Sequence, residues 1–274
     1  MKKWAKVKHI CSRIEQYVCA LLYPHAATCP LCGEMRKVDG YYALCPDCMD
    51  KLEEMQVPSA ACNKCLSPVR RGQGCTMCRS GRMKSIDACF SPFCYRNEVR
   101  RLVHQFKFDG DSSYIRYLSF KMAEVLPDRE WDFLVPVPLS RERMWDRGVN
   151  QARLLAEALS QRTNIPVLDA LERTVNRKPQ SATPMEKRAE NVKGVFRCIG
   201  TLDGLRILLI DDVRTTGSTA QACATEMKKA GAKRVGLCTL AVVYRDPKKF
   251  RKRKNEKKQK FIRSSKILHT NRLK

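Results

Sequence analysis

From Leu208 to Gly231 the chain reads LLIDDVRTTGSTAQACATEMKKAG. A strand predicted from Arg206 to Ile210 delivers two adjacent acids, Asp211 and Asp212, at its carboxyl end. A loop of threonine, glycine and serine follows, and a helix is predicted to begin near Thr219. That order suits a ribose 5-phosphate. Two carboxylates can accept hydrogen bonds from a vicinal diol, and bonds to a charged acceptor are stronger than neutral ones. The small and hydroxyl side chains of Thr215, Thr216, Gly217, Ser218 and Thr219 let backbone N–H groups close around a phosphate. The helix behind them adds its dipole and its unpaired donors. The plainer alternative is a capped helix after a buried strand, but paired acids, a TTGST loop and a helix in register rarely coincide. The stretch is not a Walker loop, which needs Gly-Lys-Ser/Thr at fixed spacing, nor a dinucleotide fingerprint, which needs GxGxxG.

Outward from this stretch, strands and helices alternate. Strands are predicted at Ile86 to Phe93, Phe133 to Val137, near Val195, and at Arg234 to Val243. Helices are predicted at Asn97 to Phe106, Tyr114 to Leu126 and Gln151 to Arg162, the last with Leu154, Leu155, Ala158 and Leu159 on its inner face. The alternation implies an α/β fold with a mainly parallel sheet covered on both faces. Ligands of such folds sit at the carboxyl ends of strands, where Asp211 and Asp212 lie. Two further segments suit an anion. VPVPLSRERMWDRGVNQA, Val135 to Ala152, sets Arg141, Arg143 and Arg147 in a loop before a helix, and guanidinium groups suit diphosphate. The polar stretch from Arg173 to Phe196 reads as a lid, with Arg177, Lys178, Gln180, Arg188 and Asn191 as contacts.

Eight of the 15 cysteines form four CxxC pairs: Cys29/Cys32, Cys45/Cys48, Cys62/Cys65 and Cys75/Cys78. Two intervening residues let both thiolates of a tight turn face one ion, and two such turns complete a tetrahedral shell, the usual structural zinc site. Two zinc ions are therefore expected. Sequential pairing is the simplest assignment, with an interleaved one open on spacing alone. Cys11, Cys19, Cys89, Cys94, Cys198, Cys223 and Cys238 read as small core residues. Disulfides fit poorly in a chain without an export signal.

Length and composition allow one α/β domain plus a small module: 274 residues, 43% hydrophobic. The net charge of +25 is uneven: Lys248 to Lys274 hold 13 Lys/Arg and one Glu, and residues 1–247 carry the remaining +13. An anionic partner is expected even without the tail, which reads as disordered. No run of apolar residues is long enough to span a membrane, and Arg13, Glu15 and Gln16 interrupt what would be the apolar part of a signal peptide. Ile10, Ile14, Val18 and Leu22 instead read as an amphipathic helix, and the cytoplasm is the expected location. The expected organisation is a helix within 1–28, a double zinc ribbon at 29–84, an α/β domain at 85–247 and a basic tail at 248–274.

DDVRTTGST, Asp211 to Thr219, resembles the phosphoribosyl-diphosphate (PRPP) motif of type I phosphoribosyltransferases. With LLYPxxxxCxxC, FKFDGD at Phe106 to Asp111, VPVPLSRERMWDRGVNQA, Gln180 and Arg188 to Val192, the chain resembles the ComF/ComFC family of competence proteins from about Leu21 to Val243. Val149 stands where that family usually carries Phe, and Thr183 where Leu is common. The tail has no counterpart in the family pattern. The resemblance implies a zinc-binding front before a type I phosphoribosyltransferase domain, and a part in the uptake of transforming DNA. It also implies PRPP and Mg2+ as ligands, with Asp211 and Asp212 on the ribose hydroxyls and Thr215 to Thr219 on the 5-phosphate. Arg141, Arg143 and Arg147 would meet the diphosphate. Two readings follow. An enzyme would transfer phosphoribosyl to a nitrogen acceptor with release of diphosphate. A non-catalytic factor would sense PRPP while its zinc ribbons and basic surface hold single-stranded DNA beside DNA-uptake proteins.

Overall fold

The computed structural model describes residues 27–36, 38, 42–69, 74–108, 114–127, 130–174 and 194–244. The expected lid contacts Arg177, Lys178, Gln180, Arg188 and Asn191, the tail 248–274 and nearly all of 1–28 lie outside these residues. In chain order the described elements begin with β1 (Ala27–Thr28), β2 (Met35–Arg36), α1 (Pro46–Glu53) and α2 (Thr76–Arg79). Then come β3 (Ala88–Phe90), β4 (Phe93–Cys94), α3 (Asn97–Phe108), α4 (Ile115–Glu124), β5 (Phe133–Pro136), α5 (Arg141–Arg147) and α6 (Gln151–Thr163). The last are β6 (Leu171–Arg173), β7 (Phe196–Cys198), β8 (Arg206–Arg214), α7 (Ser218–Lys229) and β9 (Arg234–Val242).

The central sheet is parallel throughout, in the order β3–β9–β8–β5, with β4 also on β9. The strand expected at Ile86 to Phe93 starts two residues later and splits into β3 and β4 at Ser91-Pro92, because proline has no N–H for the ladder. Residues 55–57 cover the far side of β4: Cys94 donates to the Met55 carbonyl at 2.7 Å, and Val57 to that of Pro92 at 3.0 Å. That pairing protects an edge which would otherwise expose unpaired backbone groups.

Side chains of β8 and β9 alternate between two cores, as both faces of a parallel sheet must be covered. Leu208, Ile210, Cys238 and Leu240 pack with α3, α4, α6 and the cysteines Cys29, Cys45 and Cys48. Ile207, Leu209, Val235 and Leu237 pack with α7, the β6–β7 hairpin and the cysteines Cys65 and Cys75. One cysteine cluster thus lies against each face. On α6 the buried apolar residues are Ala152, Leu155, Ala156 and Leu159, whereas Leu154 and Ala158 are only partly covered. The inner face is therefore rotated from the expected one, toward β5 and β8.

Candidate functional site

β8 runs past Ile210, where it was expected to end. Asp211 pairs with Thr239, Val213 with Ala241 and Arg214 with Val242, so β9 keeps the acid pair extended. Asp212 N–H donates to Asp211 Oδ1 at 2.9 Å. Burial, and next the charge of Asp212, push the Asp211 carboxyl up to about 7, against that N–H and the charges of Lys107 and Arg143. Asp212 is paired: Lys107 Nζ, from the last turn of α3, stands 2.7 Å from its Oδ2, and both side chains are largely covered. One site therefore holds a carboxyl whose ionisation burial opposes beside an acid paired with an ammonium group.

A cationic wall faces these acids. Arg141, Arg143 and Arg147 lie on a short helix, α5, and not in a loop as the sequence suggests. Ser140 caps α5 by accepting the Arg143 N–H at 3.3 Å, and Gly148 ends it in the left-handed conformation. Asn150 then caps α6 through the Ala152 N–H at 3.0 Å while donating to the Val137 carbonyl at 3.1 Å, which ties α5 and α6 to the end of β5. Burial lowers the Arg147 guanidinium's pKa, Asp212 pulls it up, and the like charge of Arg143 lowers it again. Arg173, at the end of β6, is lowered by burial and then by Arg143. Arg143 thus repels both Arg147 and Arg173, while Asp212 attracts Arg147.

Gln151 joins the two walls. It is buried, accepts from Arg147 Nη1 at 3.3 Å and donates to the Lys107 carbonyl at 3.4 Å. Neither Lys107 nor Gln151 stands out by residue type. Their only sequence signal is membership of the FKFDGD and RGVNQA stretches.

Thr215, Thr216 and Gly217 form the turn after β8, and Ser218 and Thr219 the first turn of α7. Gly217 caps α7 at φ 78°, a region that penalises a side chain. Thr216 Oγ1 and Ser218 Oγ are 2.9 Å apart. Ser218 N–H donates to Thr216 Oγ1 at 3.4 Å, so the N–H groups of a helix start and two hydroxyls follow directly on the acid pair, an arrangement able to hold a phosphate. The structure brings together Asp211, Asp212, Thr215 to Thr219 and Arg143 and Arg147, with Arg141 at the exposed start of α5.

The cysteines form two clusters, Cys29/Cys32/Cys45/Cys48 and Cys62/Cys65/Cys75/Cys78, each with all sulfurs within 4.8 Å of one another. Pairing is sequential, which removes the interleaved alternative. A tetrahedral ion with Zn–S near ~2.3 Å needs sulfurs roughly 3.8 Å apart. Cys32 and Cys45 are 4.0 Å apart, Cys62 and Cys78 3.8 Å, and Cys65 and Cys75 3.3 Å. The donor sets fit zinc. Burial alone would raise Cys29, but the N–H groups of Cys32, Cys45 and Leu31 bring it down to about 7. Cys62 reaches about 7 in the same way through Cys65 and Lys64. Each cluster so contains a thiol inclined to ionise, the form that binds metal. Cys89, Cys94, Cys223 and Cys238 are core residues as expected, and Cys198 is half-buried.

Residues 147–270 match the model of the phosphoribosyl transferase domain family. Competence protein ComFC of Bacillus subtilis is 31% identical over 225 residues, 77% of this chain and 83% of the relative. DNA utilization protein YhgH of Escherichia coli K12 is 30% identical over 224 residues, 79% of this chain and 90% of the relative. Among solved structures, a purine phosphoribosyltransferase from Pyrococcus horikoshii aligns with 47% of this chain and 72% of its own, at 25% identity and a TM-score of 0.31. No described helix is long and apolar enough to cross a membrane.

Proposed function

Because this chain belongs to the ComF/ComFC family of competence proteins, we propose that it binds PRPP with Mg2+ at the Asp211–Asp212 site and serves the handling of imported DNA in the cytoplasm. The reading is carried by the acid pair near the carboxyl end of β8, with only Val213 and Arg214 between it and the Thr215–Gly217 turn that starts α7. Asp211 and Asp212 accept the ribose hydroxyls. The loop N–H groups and the hydroxyls of Thr216 and Ser218 hold the 5-phosphate. Arg143 and Arg147, with Arg141 at the rim, meet the diphosphate. Lys178, Gln180 and Arg188, outside the described residues, are the further candidates for contact with the diphosphate. Mg2+, a hard cation that takes oxygen ligands, would be held with the PRPP beside Asp211 and Asp212 and would offset charge on the diphosphate. In this reading 29–84 are two structural zinc modules and 85–247 the phosphoribosyltransferase domain.

The same placement suits phosphoribosyl transfer. A nitrogen nucleophile attacks C1, the C1–oxygen bond breaks, and diphosphate leaves with the bonding electrons while arginines stabilise its charge. The names of the relatives, competence protein and DNA utilization protein, support the link to DNA. The excess of basic residues supports salt-dependent binding of single strands.

The test is calorimetric titration of PRPP with Mg2+ into zinc-loaded protein, beside Asp211→Asn/Asp212→Asn. Binding that the double variant loses is the expected result, and no binding by the unaltered protein would overturn the proposal. Release of diphosphate with pooled purine and pyrimidine bases then separates turnover from sensing.

A further inference from the structure

The phosphate loop is held from behind by the chain that leaves the second cysteine cluster. From Cys78 that chain passes through residues 80–87 along α7 before entering β3. Met83 is 1% exposed and abuts Gly217, where a Cβ would overlap Met83 Sδ and stand 3.4 Å from its Cε. Ser85 N–H donates to Gln221 Oε1 at 3.1 Å, and Gln221 Nε2 donates to Ser85 Oγ at 2.8 Å. Ser85 Oγ and Thr225 Oγ1 are 3.1 Å apart. Asp87 pairs with Lys228 at 2.8 Å and accepts the Val235 N–H at 2.8 Å. Gly217, Gln221, Thr225 and Lys228 follow the spacing of one helix face, so the contacts form a strap from the mouth of the site to the far end of α7.

The strap has little regular secondary structure. The described residues between 62 and 87 hold one short helix, α2, and no strand beyond the Ala61–Pro68 bridge. Its backbone bonds are those of local turns, such as Gly81 to Cys78 and Lys84 to Gly81, and a segment built of turns around four thiols draws further order from metal ligation. Cys65, Cys75, Met83 and Ile86 share one core with Ala220, Cys223, Ala224 and Met227 of α7. A second observation concerns Arg214, the residue before the loop. It is 3% exposed, and its Nε and Nη2 lack hydrogen-bond partners among the described residues. Cys89 lies within electrostatic reach of both Arg214 and the cluster thiols Cys65 and Cys62. A four-thiolate zinc centre is formally a dianion, so loading supplies negative charge to the surroundings of this cation.

We propose that metal occupancy of the Cys62/Cys65/Cys75/Cys78 site sets the shape of the phosphate loop, with Met83 and Ser85 as the positioning residues that transmit it. The second cluster is then a control point for anion binding as well as a structural element. The choice of PRPP as ligand rests on the function proposed above, whereas the coupling itself does not.

The experiment combines hydrogen exchange of the 215–225 segment, PRPP titration and zinc content on the full chain. Loss of metal from the second cluster in Cys75→Ser is expected to speed exchange of that segment by about tenfold or more and weaken PRPP comparably, a tenfold step being about 1.4 kcal/mol. Cys32→Ser, which disrupts the first cluster, should leave that exchange unchanged. Met83→Ala should reproduce the effect with both metals bound, and Met83→Leu should restore it. Should Cys75→Ser fail to fold, the Met83 pair still decides the matter. Wild-type exchange and affinity in Met83→Ala, or wild-type exchange after loss of the second metal alone, would overturn the proposal. If the unaltered protein does not bind PRPP, the ligand reading falls and the exchange arm still tests the coupling.

Discussion

Gly217→Ala perturbs the point where the strap meets the loop. Two costs add. The backbone there has φ 78°, and left-handed geometry costs a residue with a Cβ roughly 1–2 kcal/mol. The new methyl also overlaps Met83 Sδ, and overpacking of a closed site costs about 1–3 kcal/mol. The single variant should therefore lose roughly 2–5 kcal/mol. Met83→Ala empties a site that is 1% exposed and should cost about 2–5 kcal/mol on its own. In the double variant the new methyl points into the space Met83 vacates, so the overlap vanishes and the backbone cost is all that Gly217→Ala adds to that of Met83→Ala. The pair should thus be less destabilised than the sum of the singles by about 1–3 kcal/mol. Urea denaturation of zinc-loaded protein, with metal content checked in each variant, measures the cycle. Additivity within about 0.5 kcal/mol would refute the reasoning, because it would mean that Met83 does not meet Gly217.

Three further outcomes are expected. The Asp211 carboxyl is raised by burial to about 7, so the folded state binds a proton that the unfolded state has lost. The stability this contributes is fully present below about pH 4 and is lost as pH rises toward 7. Asp211→Asn should flatten that slope in urea midpoints between pH 5 and 8 while abolishing PRPP binding; equal slopes in both proteins would contradict the assignment. Lys107→Met strands Asp212, whose side chain is 14% exposed, and should cost about 1–3 kcal/mol and at least tenfold in PRPP affinity, with Lys107→Arg milder; an unchanged melting temperature and affinity would count against the pair. Elemental analysis should find two zinc ions per chain, and Cys32→Ser or Cys75→Ser should leave one; a single ion in the unaltered protein would refute the two-cluster assignment.

The legible parts of the fold were those written in local pattern. Apolar runs at Arg206 to Ile210 and Arg234 to Val243 predicted the start of β8 and nearly all of β9, because strands buried on both faces need continuous hydrophobic residues. Ends were less legible. β8 continues through the acids because β9 offers partners as far as Val242, and pairing partners are not a local property. Arg141 to Arg147 read as a loop because a seven-residue amphiphile without a buried face has no periodic signal, yet Ser140 and Gly148 close it into a helix.

By itself the sequence determined the chemistry available to this protein: paired acids before a TTGST loop, three arginines in one segment and four CxxC pairs. Residue type and short spacing suffice for that, since one turn of chain places each group beside its neighbour. Only the tertiary structure decided which distant groups meet. It set Lys107 on Asp212, made Gln151 the link between Lys107 and Arg147, assigned the cysteine pairs sequentially and laid the second cluster's chain along α7. Those contacts join residues far apart in the chain, and they exist because burying both faces of one sheet leaves each segment a single place to pack.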